Sequence, residues 1–239
     1  MYGVKRFKYS SKVFAFLLVA FVVVYSYSYF YEQYETQSVS DVYTPETAKY
    51  GVVTYTAEEI EELLASVEIN YEGEIYPYDR DKYEKPVKKF EYAGESVSIR
   101  DYALHIYTGK DEVRDTYDLG FVDPYTGEVL DHEDEVEYDH IIPLNYANQN
   151  GAYFWDDELK NAFAFDLSVG VPTSKSENRK KGDKGPSKYL PPVNQEEYCL
   201  TWLVIAEKYD LSLYDEDVEV IKSVLEGASE VSVINYWPQ

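Results

Sequence analysis

Val136-Glu-Tyr-Asp-His-Ile-Ile-Pro143, followed by Leu167-Ser-Val-Gly-Val-Pro172 and then Ser174-Lys-Ser-Glu-Asn178, is the part of the chain that decides how it folds. The β-branched and aromatic residues of the first run favour a strand. Pro143 has no N–H to give to a ladder, so Asp139 and His140 belong near that strand's end. Leu167, Val169 and Val171 alternate as a second short strand ended by Pro172. Ser174-x-x-Glu177 has the pattern of a capping box, which places Asn178 in the first turn of a helix, and Gly182 with Gly185-Pro186 closes that helix quickly. The order strand, strand, helix can focus carboxylate, imidazole and amide groups on one point.

The chemistry of those groups is specific. A carboxylate (Asp139), an amide oxygen (Asn178) and several waters or phosphate oxygens suit a hard divalent ion, Mg²⁺ or Mn²⁺, better than zinc. Such an ion would stabilise charge on a phosphate and its leaving oxygen. A neutral His140 beside it can take a proton from an attacking water. On spacing alone an Asp-His pair reads more simply as a hydrogen-bonded histidine at a strand end. Charge placement shifts the balance, because Lys175, Arg179, Lys180, Lys181, Lys184 and Lys188 face only Glu177 and Asp183 within 175–188. A helix start beside Lys and Arg favours a phosphate backbone over a carbohydrate or peptide. The plainer reading is a solvated basic face neutralising acidic neighbours.

Working outward, Pro124 to Gly127 supplies a turn between β-prone runs near 120–130. Thr56-Ala-Glu-Glu59 is a capping box that opens a helix whose apolar face is Ile60, Leu63, Leu64 and Val67. Residues 70–100 suggest short strands, including an alternation through Val97 and Ile99, with His105 a packed or edge-strand residue. Asp156–Phe165, Glu196–Tyr209 and Asp215–Leu225 have helical spacing. His132 lies in a solvated acidic loop, and Trp155 and Trp202 read as core.

The 239 residues carry 22 basic and 45 acidic side chains, a net charge of −23. Lys5, Arg6, Lys8 and Lys12 precede the first acid, Glu32, so the other 18 basic residues face all 45 acids. That excess argues against a generic DNA-coating protein, while 45% hydrophobic residues exclude a disordered acidic tail. One cysteine, Cys199, excludes an intramolecular disulfide and a multi-cysteine zinc site. After the basic start, Val13–Tyr25 is wholly without charge or strong polarity. The segment is either a signal peptide with Ser26-x-Ser28 as its cleavage site or a retained single anchor, and either sends the acidic bulk across the membrane.

DPYTGEVL (123–130), EYDHIIPL (137–144), Gly151-Ala152 with Trp155, AFAFD (162–166), Asn178-Arg-Lys-Lys-Gly-Asp183 and YLPP (189–192) together resemble the exported bacterial branch of HNH endonucleases, over about residues 100–226. The resemblance implies an α+β fold with a ββα-metal (HNH) core and flanking helices. It also implies Asp139 and Asn178 as ligands of Mg²⁺ or Mn²⁺, His140 as general base, and Arg179 and Lys181 at basic, phosphate-binding positions. The implied reaction is phosphodiester hydrolysis by activated water, on nucleic acid, DNA before RNA, with little base readout. Relatives carry a bracing asparagine where this chain has Val169. The expected organisation is a signal or anchor at 1–31, a linker at 32–49, an N-terminal extension at 50–99, the nuclease domain at 100–226 and a tail at 227–239. The protein is expected outside the cytoplasm, secreted or held to the membrane by its N-terminal segment. The alternative is a noncatalytic surface or nucleic-acid-binding protein that keeps the core as a scaffold.

Overall fold

In the computed structural model, residues 51–71, 75–85, 87–92, 94–108 and 121–235 are described. The apolar segment at 13–25 and the linker at 32–49 lie outside them, as do the last residues of the tail. Among the described residues no helix is long and apolar enough to cross a membrane.

The architecture is mixed α+β with small sheets. In chain order the elements are β1 (Gly51–Thr56), α1 (Ala57–Ser66), β2 (Ile69–Asn70), β3 (Lys89–Tyr92), β4 (Glu95–Ser98), α2 (Ile99–Thr108), β5 (Phe121–Val122) and β6 (Val129–Leu130). There follow β7 (Val136–His140), α3 (Leu144–Gln149), α4 (Asp157–Phe165), β8 (Gly170–Ser174), α5 (Lys175–Lys181), α6 (Gln195–Tyr209), β9 (Leu213–Tyr214), α7 (Asp215–Leu225) and β10 (Glu230–Asn235). The strands of the described residues pair two by two: β1 with β10, β3 with β4, β5 with β6 and β7 with β8 antiparallel, and β2 with β9 parallel.

α6 organises the core. Tyr198, Cys199, Leu200, Trp202, Leu203, Ile205 and Ala206 are all buried, and residues so spaced cover nearly every side of the helix, which is the mark of an interior helix. Phe163 of α4, Val169 and Val171 beside and on β8, Ile221 of α7 and Ile60 and Leu63 of α1 share its cluster. α1 therefore packs by its apolar stripe, and its capping box is complete: Thr56 accepts from the Glu59 N–H and Glu59 accepts from the Thr56 N–H. Cys199 is fully buried, and burial pushes its thiol up to about 12.

Three local readings are corrected. Ile99–Thr108, with His105, is helical rather than extended. Ser98 accepts from the Asp101 N–H at 3.2 Å and donates to its carboxylate at 2.7 Å, so the helix start is capped. Ile99, Tyr102, Ala103 and Ile106 are buried at helical spacing. The second site strand begins at Gly170 and runs through Pro172; a two-stranded sheet has only edge strands, where proline costs least. Ser174 accepts from the Glu177 N–H at 3.3 Å, but Glu177 turns its carboxylate to Tyr189 and Lys180, so only half of the expected capping box forms.

Candidate active site

β7 and β8 pair antiparallel from Val136↔Ser174 to His140↔Gly170, and α5 follows β8 without a break. Successive side chains of a strand point to opposite faces, and β7 uses the two faces differently. Glu137 and Asp139 meet α5, while Tyr138 and His140 meet the end of α4 and the turn that follows it.

On the α5 side, strand positions two apart meet helix positions three apart. Asn178 Nδ2 donates to Glu137 Oε2 at 3.1 Å, and Arg179 lies 3.6 Å from Glu137 Oε1. One turn later, Lys181 Nζ donates to Asp139 Oδ1 at 2.9 Å and to the His140 carbonyl at 2.8 Å. Tyr125 OH donates to Asp139 Oδ2 at 2.8 Å. The Lys181 side chain is 0% exposed and that of Asp139 5%. Burial raises the Asp139 carboxyl and lowers the Lys181 ammonium, and the attraction of each for the other opposes both shifts. Burial together with the neighbouring Asp139 raises the Tyr125 phenol well above its ordinary range, so it stays protonated and donates.

Lys181 therefore departs from the expectation of a surface phosphate contact. α5 turns about 100° per residue, so three consecutive basic residues cannot share a face: Arg179 and Lys180 point outward, and Lys181 turns into β7. Arg179, with a side chain 74% exposed, remains accessible. Lys180 pairs with Glu177 and Lys188 with Glu216, so much of the local basic excess meets acids of the same protein.

On the opposite face His140 is 8% exposed, and its Nε2 lies 2.9 Å from the Ala164 carbonyl. A carbonyl only accepts, so Nε2 carries the ring proton and Nδ1 keeps its lone pair. Burial drives the imidazole down to about 4, with the Arg80 and Lys181 charges acting in the same direction against the pull of the Ala164 carbonyl. The ring is neutral at pH 7. Arg80, from a short 3₁₀ turn at Arg80–Lys82, acts on His140 from outside every motif that marks the site.

Asp123 is a second buried carboxylate that sequence reasoning missed. It accepts from the Tyr125 N–H and Thr126 Oγ1, both at 3.0 Å, from Thr173 Oγ1 at 2.6 Å and from the Ser174 N–H at 3.2 Å. The turn carrying Tyr125 is thereby fastened to the junction of β8 and α5. The signal was present as an Asp-Pro-Tyr-Thr turn, since Asp side chains bond backbone N–H groups two residues on.

Asp139, His140 and Asn178 thus lie on one strand end and one adjoining helix, each with a different partner. Among the described residues no group of three or more His, Cys, Asp or Glu side chains is placed to hold a metal ion. The available donors are the second lone pairs of the Asp139 carboxylate, the Asn178 amide oxygen and Glu137. Hard oxygen donors of this kind suit a largely hydrated Mg²⁺ or Mn²⁺, and Lys181 already compensates the charge of Asp139.

No known protein family matches the chain by profile, and no solved structure matches it. It is 31% identical over 106 residues to an uncharacterized secreted protein of Arthroderma benhamiae, an overlap of 43% of this chain and 52% of that protein. The chain therefore spans about half the length of this relative.

Proposed function

We propose that the protein is an exported nuclease of the ββα-metal (HNH) kind, hydrolysing phosphodiester bonds of nucleic acid, DNA before RNA, with His140 as general base. The observation that carries this reading is the state of His140: neutral at pH 7, Nε2–H committed to the Ala164 carbonyl, and Nδ1 left as the acceptor. A water presented to Nδ1 gives its proton to the ring as its oxygen attacks phosphorus; the P–O bond to the leaving oxygen breaks, and that oxygen takes a proton from solvent. An anionic phosphate beside the ring raises the ring's affinity for that proton, the direction the reaction requires. Arg179, exposed at the α5 surface, holds a phosphate oxygen from solvent. A divalent Mg²⁺ or Mn²⁺ held by Asp139 and Asn178 would supply charge stabilisation at the phosphate and leaving oxygen. The name of the Arthroderma relative and the apolar N-terminal segment support action outside the cytoplasm, whether the segment is cleaved or retained as a membrane anchor.

A second reading, a noncatalytic binding scaffold, is favoured by one specific observation: both Asp139 oxygens are already occupied by Lys181 and Tyr125. The two are separated by incubating the full chain with supercoiled plasmid in Mg²⁺, Mn²⁺ or chelator. Metal-dependent nicking supports the nuclease, and intact plasmid with a folded protein in every condition supports the scaffold.

A further inference from the structure

His140 is held by a single carbonyl, and that carbonyl is itself held from a distance. Ala164 lies in the last turn of α4, where the final four carbonyls of a helix have no intrahelical partner, so its oxygen is free to take the His140 ring proton at 2.9 Å. Asp166 is the residue on which α4 ends. Its own carbonyl accepts from Tyr138 OH at 3.1 Å and from the Val169 N–H at 3.0 Å. Both ring-bearing residues on this face of β7 therefore hang on a segment only three residues long.

What keeps that segment still is the Asp166 carboxylate. Oδ1 accepts from the Ser168 N–H and Ser168 Oγ, both at 2.8 Å. Oδ2 accepts from Lys208 Nζ and Tyr209 OH, both at 2.5 Å, at the far end of α6. Lys208 also reaches Ser168 Oγ at 3.1 Å, and the Tyr209 ring packs on Phe163 and Trp155. The end of α4 is thus tied to the end of the central core helix through one buried carboxylate, and the Ile141 N–H bond to the Val169 carbonyl at 2.7 Å returns the segment to β7.

We infer that Asp166, gripped by Lys208 and Tyr209, is the positioning residue that fixes the ring of His140 with Nε2–H on Ala164 and Nδ1 toward the attacking water. This rests on the nuclease reading of His140 for its catalytic meaning, but the ring's constraint is a property of the fold. Releasing the carboxylate lets the last turn of α4 shift; a displacement on the order of 1 Å at a reacting group is enough to cost up to about a hundredfold in rate.

The test uses full-length protein labelled with ¹⁵N-histidine, in which only three histidines contribute signals. The His140 ring N–H is expected as a protected resonance. Asp166→Asn, and separately the double variant Lys208→Met with Tyr209→Phe, are expected to speed its exchange with water at least about tenfold and to slow plasmid nicking by about ten- to a hundredfold, with the His105 signal unchanged. The double variant keeps the test open if Asp166→Asn fails to fold. Equal protection of the His140 ring proton in wild type and in a folded variant overturns the inference. The ring-proton result does not depend on cleavage, so a wild type that never nicks DNA removes the nuclease reading alone.

Discussion

One face of β7 is built of buried charge and the other of neutral rings. Toward α5, Asp139 and Lys181 neutralise each other and Tyr125 completes the network; toward α4, His140 and Tyr138 hang by single bonds from backbone carbonyls. A buried ion pair is costly to disturb because either partner alone becomes an uncompensated charge. A neutral ring on a carbonyl is cheap to disturb and easy to poise for proton transfer. The difference teaches that the number of bonds a side chain makes and its readiness to exchange a proton are separate properties: Asp139 is bonded at both oxygens, while His140 keeps one ring nitrogen as an acceptor.

The largest expected effect breaks the charged face. Lys181→Met should destabilise the protein by about 3–5 kcal/mol, read as a fall in the urea midpoint. Combining it with Asp139→Leu should recover most of that loss, because the stranded carboxylate goes too.

Next comes acid. His140 sits at about 4 in the fold against an ordinary value of 6.5, so between those values the unfolded chain binds more protons than the native one. Its contribution is fully present above pH 6.5 and is lost as pH falls toward 4, by at most about 3 kcal/mol. Urea midpoints taken from pH 7.5 to 4.5 should fall more steeply in wild type than in His140→Gln. Equal slopes would mean that the neutral face does not hold its ring as described.

A smaller change sharpens the contrast by crowding the neutral face. A Cβ on Gly170 would stand 2.2 Å from the Tyr138 ring, so Gly170→Ala should cost about 1–3 kcal/mol by overpacking, visible as a lowered Tm. Arg179→Ala should change stability by less than about 0.5 kcal/mol, while weakening plasmid retention in a gel-shift assay at low salt.

Much of this local architecture is legible in the chain. Pro143 marks the end of β7, Gly182 closes α5 in a left-handed conformation (φ +58°), and Thr56 and Asp156 cap their helices. Ser98 carries the same signal for α2, but the alternation at Val97 and Ile99 masks it. The rest of the site rests on partners far apart in sequence. Asp166 meets Lys208 and Tyr209 across more than forty residues, and nothing local to any of them announces it. Lys181 reads as one member of a basic run until the rotation of a seven-residue helix decides which member faces in. Val169, which stands where relatives carry an asparagine, is fully buried, and its carbonyl accepts from the Ile141 N–H at 2.7 Å; a backbone contribution of that kind is invisible in residue identity.

The most direct measurement compares the nicking rate of supercoiled plasmid by full-length wild type and His140→Ala under saturating Mg²⁺ or Mn²⁺, with matched near-ultraviolet circular dichroism at pH 7.5 confirming that both are folded. A general base on the neutral face of β7 predicts a loss of roughly 10²–10⁴-fold with the fold intact. Equal rates in the two proteins would contradict it.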